Sequence, residues 1–287
     1  MVNLRIHHRT TYRYRQPVSF GTHRLLLRPR ESRNVRLISS DLTVTPYAIL
    51  AWAYDVPGNA VATATFAEPA STLVIDSVAR VELSAVAYPV FDIAASAASF
   101  PFRYSDDEWT DLGSLAVCQY PDEDARLRSW ARGFVAGNPT DTLSLLKDLN
   151  AGVTGWIGYE TREDEGTQSP SQTLMLGRGS CRDLAMLFVE AVRSLGLGAR
   201  IVSGYLYDPA QTLAGSTGAG STHAWAEVYL PGAGWITFDP TNRSLGGANL
   251  IPVAVARDIR QVMPVMGSFS GPADALQDMS VEVSVCL

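Results

Sequence analysis

A cysteine, a histidine and an aspartate lie in three motifs whose residue types suit nucleophilic catalysis. Cys181 stands in Gly-Ser-Cys-Arg-Asp, which ends a polar loop and opens an amphipathic helix. His223 begins an alternating run typical of a strand, and Asp239 follows a short apolar strand candidate. A sulfur nucleophile, an imidazole base and a carboxylate that orients the base are the parts needed for acyl transfer through a thioester. The sequence therefore predicts this chemistry.

The position of Cys181 favours a reactive thiol. Ser180 is a good helix N-cap, and Asp183 stands three residues later, as in a capping box. Cys181 is then the first helical residue, where unpaired amides and the helix dipole stabilise a thiolate. The same amides could donate to the oxyanion of a tetrahedral intermediate. The alternative is a small, inert buried residue at a helix start.

His223 is the candidate base because the other histidines, His7, His8 and His23, all lie near the N-terminus. Asp239 could hold the imidazole in the required tautomer. The structural alternatives are a satisfied strand histidine and a turn aspartate, since Asp-Pro-Thr-Asn is also good turn chemistry.

The hairpin between these two residues provides a geometric test. In a regular antiparallel pair, a two- or four-residue connection would put His223 and Asp239 on opposite faces of the sheet. A three-residue connection at 231–233 puts them on the same face, with Thr241 opposite His223. We therefore predict a three-residue turn with Gly234 at positive φ, or an equivalent bulge.

Bulk composition limits the possible partners and compartment. The 287 residues are 46% hydrophobic and 18% charged, as in a globular protein with a substantial core. The net charge of −6 argues against nucleic-acid binding. No signal peptide and no membrane span is expected. Three scattered cysteines predict neither a disulfide framework nor a zinc site, and a cytoplasmic location is expected.

The first part of the chain shows the two-residue period of β-strands. In residues 6–15 the even positions are mostly apolar or aromatic, and the odd positions are mostly polar. Turn residues at 55–59 separate two later strand candidates. We predict an N-terminal antiparallel β domain at 1–100, a sandwich or barrel, followed by a transitional linker at 101–121. The strand candidates are 24–27, 35–46, 50–54, 60–68 and 72–86.

Residues 122–287 show a helical period and then further strands, and are predicted to form one core unit that includes the C-terminal strands. The predicted helices are 122–134, 140–153 and 181–195. The predicted strands are 199–207, 223–230, 235–238, 251–255 and 281–285. The Gly/Ser/Thr-rich segment at 214–222 is interpreted as a lid or a connector, and the acidic loop at 160–165 as a solvated cleft edge.

Four segments together resemble the transglutaminase-like core: Gly-Ser-Cys-Arg-Asp at 179–183, Ser-Gly-Tyr-Leu at 203–206, His-Ala-Trp-Ala-Glu at 223–227 and Asp-Pro-Thr at 239–241. They come in the family order of cysteine, histidine and aspartate. The front of the chain resembles the β domain of the bacterial members, with matching pieces at 8–14, 27–30 and 58–59. The resemblance extends over nearly the whole chain.

This resemblance implies an α+β, papain-like fold in which a helix carrying the nucleophile packs on an antiparallel sheet. It implies Cys181 as nucleophile, His223 as base and acid, and Asp239 as orienter, without a cofactor or metal. The family includes peptidases, amidases and cross-linking acyltransferases, and the fold does not choose among them. Hydrolysis of a peptide or amide is the main expectation. Transamidation and a non-catalytic binding module are the alternatives.

Several other residues are candidates for substrate contact. Trp156 and Tyr159 precede the nucleophile and could line the cleft, although core packing is the commoner role for such aromatics. Gln172 is a candidate second oxyanion donor by loose analogy with papain. Trp225 could shield the imidazole of His223 from water or belong to the core. The N-terminal domain could select substrate or support a homo-oligomer.

Overall fold

The computed structural model describes residues 1–161, 166–208 and 220–287. Most of the predicted lid or connector at 214–222 and most of the acidic loop at 160–165 therefore lie outside the described residues. Two short 3-10 turns occupy Gly113–Ala116 and Ile259–Gln261. The helices are α1 (Asp106–Leu112), α2 (Arg126–Arg132), α3 (Thr142–Trp156), α4 (Pro170–Leu176) and α5 (Cys181–Ser194). The strands are β1 (Val2–Phe20), β2 (His23–Leu25), β3 (Val35–Thr45), β4 (Ala48–Tyr54), β5 (Ala60–Phe66), β6 (Ala70–Leu83), β7 (Ser99–Phe100), β8 (Thr140–Asp141), β9 (Gly158–Tyr159), β10 (Arg178–Gly179), β11 (Ala199–Tyr207), β12 (Gly220–Leu230), β13 (Gly234–Asp239), β14 (Ser244–Leu245), β15 (Leu250–Ala256), β16 (Val265–Met266), β17 (Phe269–Ser270) and β18 (Leu276–Cys286).

Two antiparallel sheets form the N-terminal β region. The larger has the order β17-β1-β6-β3, and β18 also pairs with β1; the smaller has the order β16-β2-β5-β4. Leu25 of the smaller sheet and Leu73 and Ile75 of the larger share one buried apolar cluster. The predicted antiparallel sandwich is confirmed, because alternating residues from both sheets fill the space between them.

The C-terminal strands belong to this sandwich. We predicted that the strand at 281–285 joins the core unit formed by residues 122–287. In the structure β18 instead pairs with β1 in a register that includes Ile6 with Val285 and Thr10 with Val281, and β16 pairs with β2. The apolar alternation of a strand indicates which face is buried but not which strand supplies its hydrogen bonds, so the sequence pattern could not assign this partner.

The segment predicted as a transitional linker at 101–121 is packed against the core. It contains α1, and Leu112 is buried. The backbone N–H groups of Gln119 and Tyr120 donate to Oε2 of Glu190, at 2.7 and 3.1 Å. Glu190 in turn accepts from Nη1 of Arg193 at 2.7 Å, and neither side chain is exposed. This buried ion pair fixes the segment to α5.

The core unit is a five-stranded antiparallel sheet with α5 packed on it. The sheet has the order β14-β13-β12-β11-β15, and α5 contacts both β12 and β11. The ring of Phe188 on α5 lies 5.3 Å from that of Phe238 on β13. Because α2, α3 and α4 also contact α5, this helix is buried on all sides rather than along one stripe. The predicted papain-like α+β arrangement is confirmed.

The sandwich and the core unit share one hydrophobic interior. A single buried cluster contains Ile6 of β1 and Phe188 of α5. Asn59 is fully buried and links the two parts: its Nδ2 donates to Val255 O at 2.9 Å, and its Oδ1 accepts from Val255 N at 2.8 Å. The sandwich is therefore an integral support of the sheet that carries the site.

Candidate active site

The start of α5 holds Cys181 in a fixed position. Asp183 is completely buried, and its Oδ2 accepts from the backbone N and from Oγ of Ser180, both at 2.8 Å. Its Oδ1 accepts from the backbone N of Gln168 at 2.7 Å. The expected capping arrangement is therefore present and is tied to the loop before α4. Cys181 follows as the first residue of the helix and is partly buried.

A short parallel ribbon precedes the nucleophile. Gly179 pairs with Tyr159, and the backbone N of Glu160 donates to Gly179 O at 2.9 Å. An added Cβ at Gly179 would lie 2.8 Å from Cβ of Asp183. A side chain at this position would therefore displace the carboxylate that caps α5, which explains the glycine in the motif.

The hairpin of β12 and β13 brings His223 and Asp239 to one face. Leu230 pairs with Gly234, so the connection is the three residues 231–233. Gly234 has φ +72°. The predicted three-residue turn with Gly234 at positive φ is confirmed. Continuing the register places Thr241 opposite His223, with Asp239 as the diagonal neighbour of the histidine.

The imidazole and the carboxylate make a buried contact. Nε2 of His223 lies 2.8 Å from Oδ2 of Asp239, and the two residues are only 6% and 1% exposed. Trp225 is also buried and stacks on the imidazole, with ring centroids 6.0 Å apart at an interplanar angle of 28°. The indole therefore shields this contact from water on one side. It also packs against Val202 and Val255, so both roles considered for Trp225 apply.

The turn after β13 orients Asp239. Its Oδ1 accepts from the backbone N of Thr241 at 3.0 Å and of Asn242 at 3.3 Å, and its Oδ2 accepts from Nδ2 of Asn242 at 2.7 Å. Burial alone would raise the pKa of Asp239, but the bonds to His223 and Asn242 outweigh it and hold the pKa below its ordinary value. Asn242 was not among the predicted site residues. Its signal was the Asp-Pro-Thr-Asn turn, which we had weighed only as an alternative to function.

The imidazole of His223 also meets the thiol of Cys181. Burial by itself lowers the pKa of His223, but hydrogen bonds and charge interactions with Asp239 and Cys181 outweigh burial and raise the pKa to about 9. Since Nε2 is taken by Asp239, Nδ1 is the ring nitrogen left for the sulfur. The three side chains therefore form one connected chain, in which the imidazole of His223 stays protonated at neutral pH.

Comparisons with known sequences agree with this geometry. Residues 128–240 match the transglutaminase-like superfamily, and residues 4–82 match the bacterial transglutaminase-like N-terminal region. Residues 128–240 therefore form a transglutaminase-like core, and cysteine-dependent acyl transfer is the general chemistry that this match supports.

Relatives and solved structures extend the likeness along the whole chain. An uncharacterized protein of Mycobacterium tuberculosis is 29% identical over 97% of this chain and 91% of its own length. One from Mycobacterium leprae is 27% identical over 99% of both chains. The crystal structure of "a Putative Cysteine Protease from Cytophaga hutchinsonii" covers 99% of this chain and 90% of that chain, with a TM-score of 0.75 and 21% identity. That likeness shows the transglutaminase-like fold.

The two predicted cleft aromatics are both exposed, and Tyr159 pairs with the strand that leads to Cys181. Trp156 ends α3 and is 69% exposed, and Tyr159 is 56% exposed beside Gly179. Two residues before Trp156, Oγ1 of Thr154 accepts from Nε of Arg243 at 2.6 Å. Trp156 thus lies between two anchored residues. Thr154 bonds to Arg243 in the turn after Asp239, and Tyr159 pairs with Gly179 just before Cys181.

Gln172 has a different surrounding from the one predicted. It is the third residue of α4, and its Oε1 accepts from the backbone N of Ser169 at 2.9 Å. The side chain therefore caps its own helix, and nothing in its contacts supports a role as an oxyanion donor.

No group of three or more His, Cys, Asp or Glu residues suited to a metal ion occurs within residues 1–161, 166–208 and 220–287. No helix among these described residues is long and apolar enough to cross a bilayer.

Proposed function

We propose that this protein hydrolyses an amide or peptide bond through a thioester on Cys181. The contact of His223 with both Cys181 and Asp239, together with the pKa of about 9 for the imidazole, carries the proposal. An imidazolium that persists at neutral pH can stabilise the thiolate first and then act as a general acid.

The reaction proceeds in two balanced halves. The sulfur of Cys181 attacks the carbonyl carbon, and the electron pair of the C=O bond moves to oxygen. The tetrahedral intermediate then collapses as the C–N bond breaks, and His223 gives its proton to the departing amine. In the second half, neutral His223 takes a proton from water while the hydroxyl attacks the thioester. The carboxylic acid leaves, and the thiolate and imidazolium are restored.

The start of α5 supplies charge stabilisation for the intermediate. Backbone N–H groups in the first turn of a helix have no partner within the helix, and the helix dipole is positive at that end. The N–H of Cys181 is one of these groups. It is our candidate donor to the oxyanion, and Trp156 remains the candidate for a second contact with the substrate.

Selective alkylation tests the activated thiol. At pH 7 we expect iodoacetamide to label Cys181 faster than Cys118, because a protonated His223 lies beside the sulfur of Cys181. Burial and the charge of Glu190 raise the pKa of Cys118 even though that residue is exposed. The rate at each cysteine is read by mass spectrometry of the digested protein. Equal rates at Cys181 and Cys118 in the folded protein would contradict the proposal.

Product masses distinguish hydrolysis from transamidation. Incubation with a peptide library, with and without a primary amine, should give free carboxylic acids in both cases. Products that carry the amine would instead support transamidation. Cys118→Ser should retain turnover, whereas Cys181→Ala should abolish it. Full turnover by Cys181→Ala would exclude both reactions at this site.

A further inference from the structure

The free edge of the smaller N-terminal sheet is unusually apolar. In the part of the chain that the structure describes, β4 pairs only with β5, so its outer edge has no partner strand. Its sequence, Ala-Ile-Leu-Ala-Trp-Ala-Tyr, contains no charge and no proline. Ile49 and Tyr54 are 66% and 76% exposed. Natural edge strands are normally protected by charges, prolines or bulges, so this edge is open to pairing with a further strand.

The edge of the larger sheet at β3 has the protection that β4 lacks. Strand β3 carries Arg36 and Asp41 with substantial exposure, and its register shifts between Leu37 and Ser39. A bulge and exposed charges both discourage edge-to-edge pairing. The contrast points to β4 as the edge that takes a partner.

Two aromatic side chains of β4 face an open cleft between the sheets. Trp52 and Tyr54 lie on the same side of the strand as Ala48 and Leu50, which pack against the sandwich core. Towards residue 54 the sheets leave a cleft of about 390 Å³, which Leu42 of β3 lines together with the polar residues Arg28 and Asp41. The inner face of the smaller sheet therefore stays apolar at Trp52 and Tyr54, beyond the filled core of the sandwich. This is expected where a further strand would extend the sheet.

We propose that β4 pairs antiparallel with β4 of a second copy of this chain, about a twofold axis at Ala51. In this register Leu50 lies opposite Trp52 of the second copy, and Ala48 lies opposite Tyr54. Each aromatic ring on the inner face thus meets a smaller apolar side chain, and the twofold axis repeats both pairs. Such cross-strand apolar pairs are the main stabilising contacts of a sheet.

The opposite face of β4 is complementary in the same way. Ile49 lies opposite Ala53 of the second copy, and Ala51 faces its own symmetry mate. No like charges meet, because β4 has none. The product is a continuous eight-stranded sheet in which the same edge is used by both copies, as a closed twofold interface requires.

Charge substitutions at the axis test this pairing in the full-length protein. Sedimentation velocity of the wild type should give twice the chain mass of 31.0 kDa. Ala51→Lys and Ala51→Glu, at an exposed position, should each give 31.0 kDa because like charges meet on the axis. Mixing the two variants should restore the dimer, because Lys then faces Glu. Thr43→Lys on the protected edge β3 should remain dimeric.

The same experiment can overturn the proposal. A wild type of single-chain mass, or an Ala51→Lys protein that remains dimeric, contradicts pairing through β4. A mixture of Ala51→Lys and Ala51→Glu that stays monomeric contradicts the register about Ala51. Circular dichroism and alkylation of Cys181 verify that each variant is folded, so loss of the dimer cannot be confused with unfolding.

Discussion

Asp239 accepts four hydrogen bonds, and together they leave its carboxylate one orientation. Only one of the four donors is His223; the others are the backbone N of Thr241 and the backbone and side-chain nitrogens of Asn242. A carboxylate with this many donors stays ionised although it is buried. Its charge is therefore available to hold the proton of His223, which connects a turn sequence to the acid–base behaviour of the site.

Removing that charge should move the pH profile of turnover. In the proposed mechanism the imidazolium of His223 is the general acid, so turnover by the wild type should fall as the pH rises through about 9. Asp239→Asn keeps the size of the side chain but removes its charge, which lowers the pKa of His223. We expect the alkaline limb to shift to lower pH by at least about one unit, measured as kcat against pH.

A second aspartate–histidine pair provides the control for this change. Asp76 lies 3.1 Å from His7 at the partly exposed surface of β1 and β6. Asp76→Asn should leave the alkaline limb unchanged. An unshifted limb in Asp239→Asn would refute the role given to Asp239.

The raised pKa of His223 also stabilises the fold: this contribution is complete below pH 6.5 and is lost as the pH rises through about 9.

Residue types, the hairpin register and the resemblance to a known family together were enough to find the three central side chains. Asn242 was missed because a turn aspartate and an orienting aspartate were treated as competing interpretations, whereas one side chain is both. The capping bond of Gln172 to Ser169 could not be predicted, because it depends on where α4 begins. Distances between remote segments decide such roles, and a sequence does not contain them.

At the scale of elements, Gly204 on β11 allows β15 and the indole of Trp225 to approach the backbone of β11 closely. An added Cβ there would lie 2.7 Å from Cη2 of Trp225 and would collide with Ile251 O. Trp225 is the residue that stacks on His223. The Ser-Gly-Tyr motif is therefore a packing requirement of the site rather than a source of reacting groups.

Gly204→Ala should destabilise the protein by about 1–3 kcal/mol, the usual cost of overpacking a filled interior. The free energy of unfolding is measured by urea denaturation. Gly247→Ala is the matched control, since an added Cβ there meets nothing within 4 Å. It should change stability by no more than about 0.5 kcal/mol. Equal effects of the two substitutions would contradict the close approach at Gly204.

Most elements were predictable because their periods are strong. Strand β11 occupies the predicted residues 199–207, and α5 begins at Cys181 as expected. Helices α1 and α4 were missed because no longer run of helical apolar spacing surrounds their seven residues; α2 is equally short, but apolar residues from Leu127 to Phe134 extend its period beyond the helix. Both of the missed helices do begin with a capping box, at Ser105 and Ser169. A search for Ser followed three residues later by Glu or Gln would have found them.

At the scale of the whole molecule, the sandwich and the core unit should unfold together. Asn59 bonds to both backbone groups of Val255, across the junction between the two parts. Asn59→Ala leaves that buried N–H and C=O without partners, at about 1–3 kcal/mol each. We expect Asn59→Ala to unfold in one cooperative transition. Its midpoint should lie at a lower urea concentration than in the wild type, for the sandwich and the core unit alike.

Two local probes can verify that the transition is shared. Hydrogen exchange of the backbone amides in β5 reports on the sandwich, and exchange of those in α5 reports on the core unit. Both should shift together in Asn59→Ala and neither in Asn34→Ala, which alters an exposed asparagine. Separate transitions for the two probes would show that the halves are independent. The sequence could not predict this coupling. The predicted domain boundaries were placed where the hydrophobic period changes, and such a change does not show which residues contact each other across the boundary.

The pairing of β1 with β18 has a consequence for biosynthesis. Val2 leaves the ribosome roughly 270 residues ahead of Leu276, a delay of about 14–54 s at about 5–20 residues per second. Throughout that interval one side of the first strand lacks the hydrogen-bonding neighbour it has in the finished protein. The amino-terminal sandwich is thus translated first and completed late. Limited proteolysis of stalled nascent chains should find it cleavable until residues 276–286 have emerged.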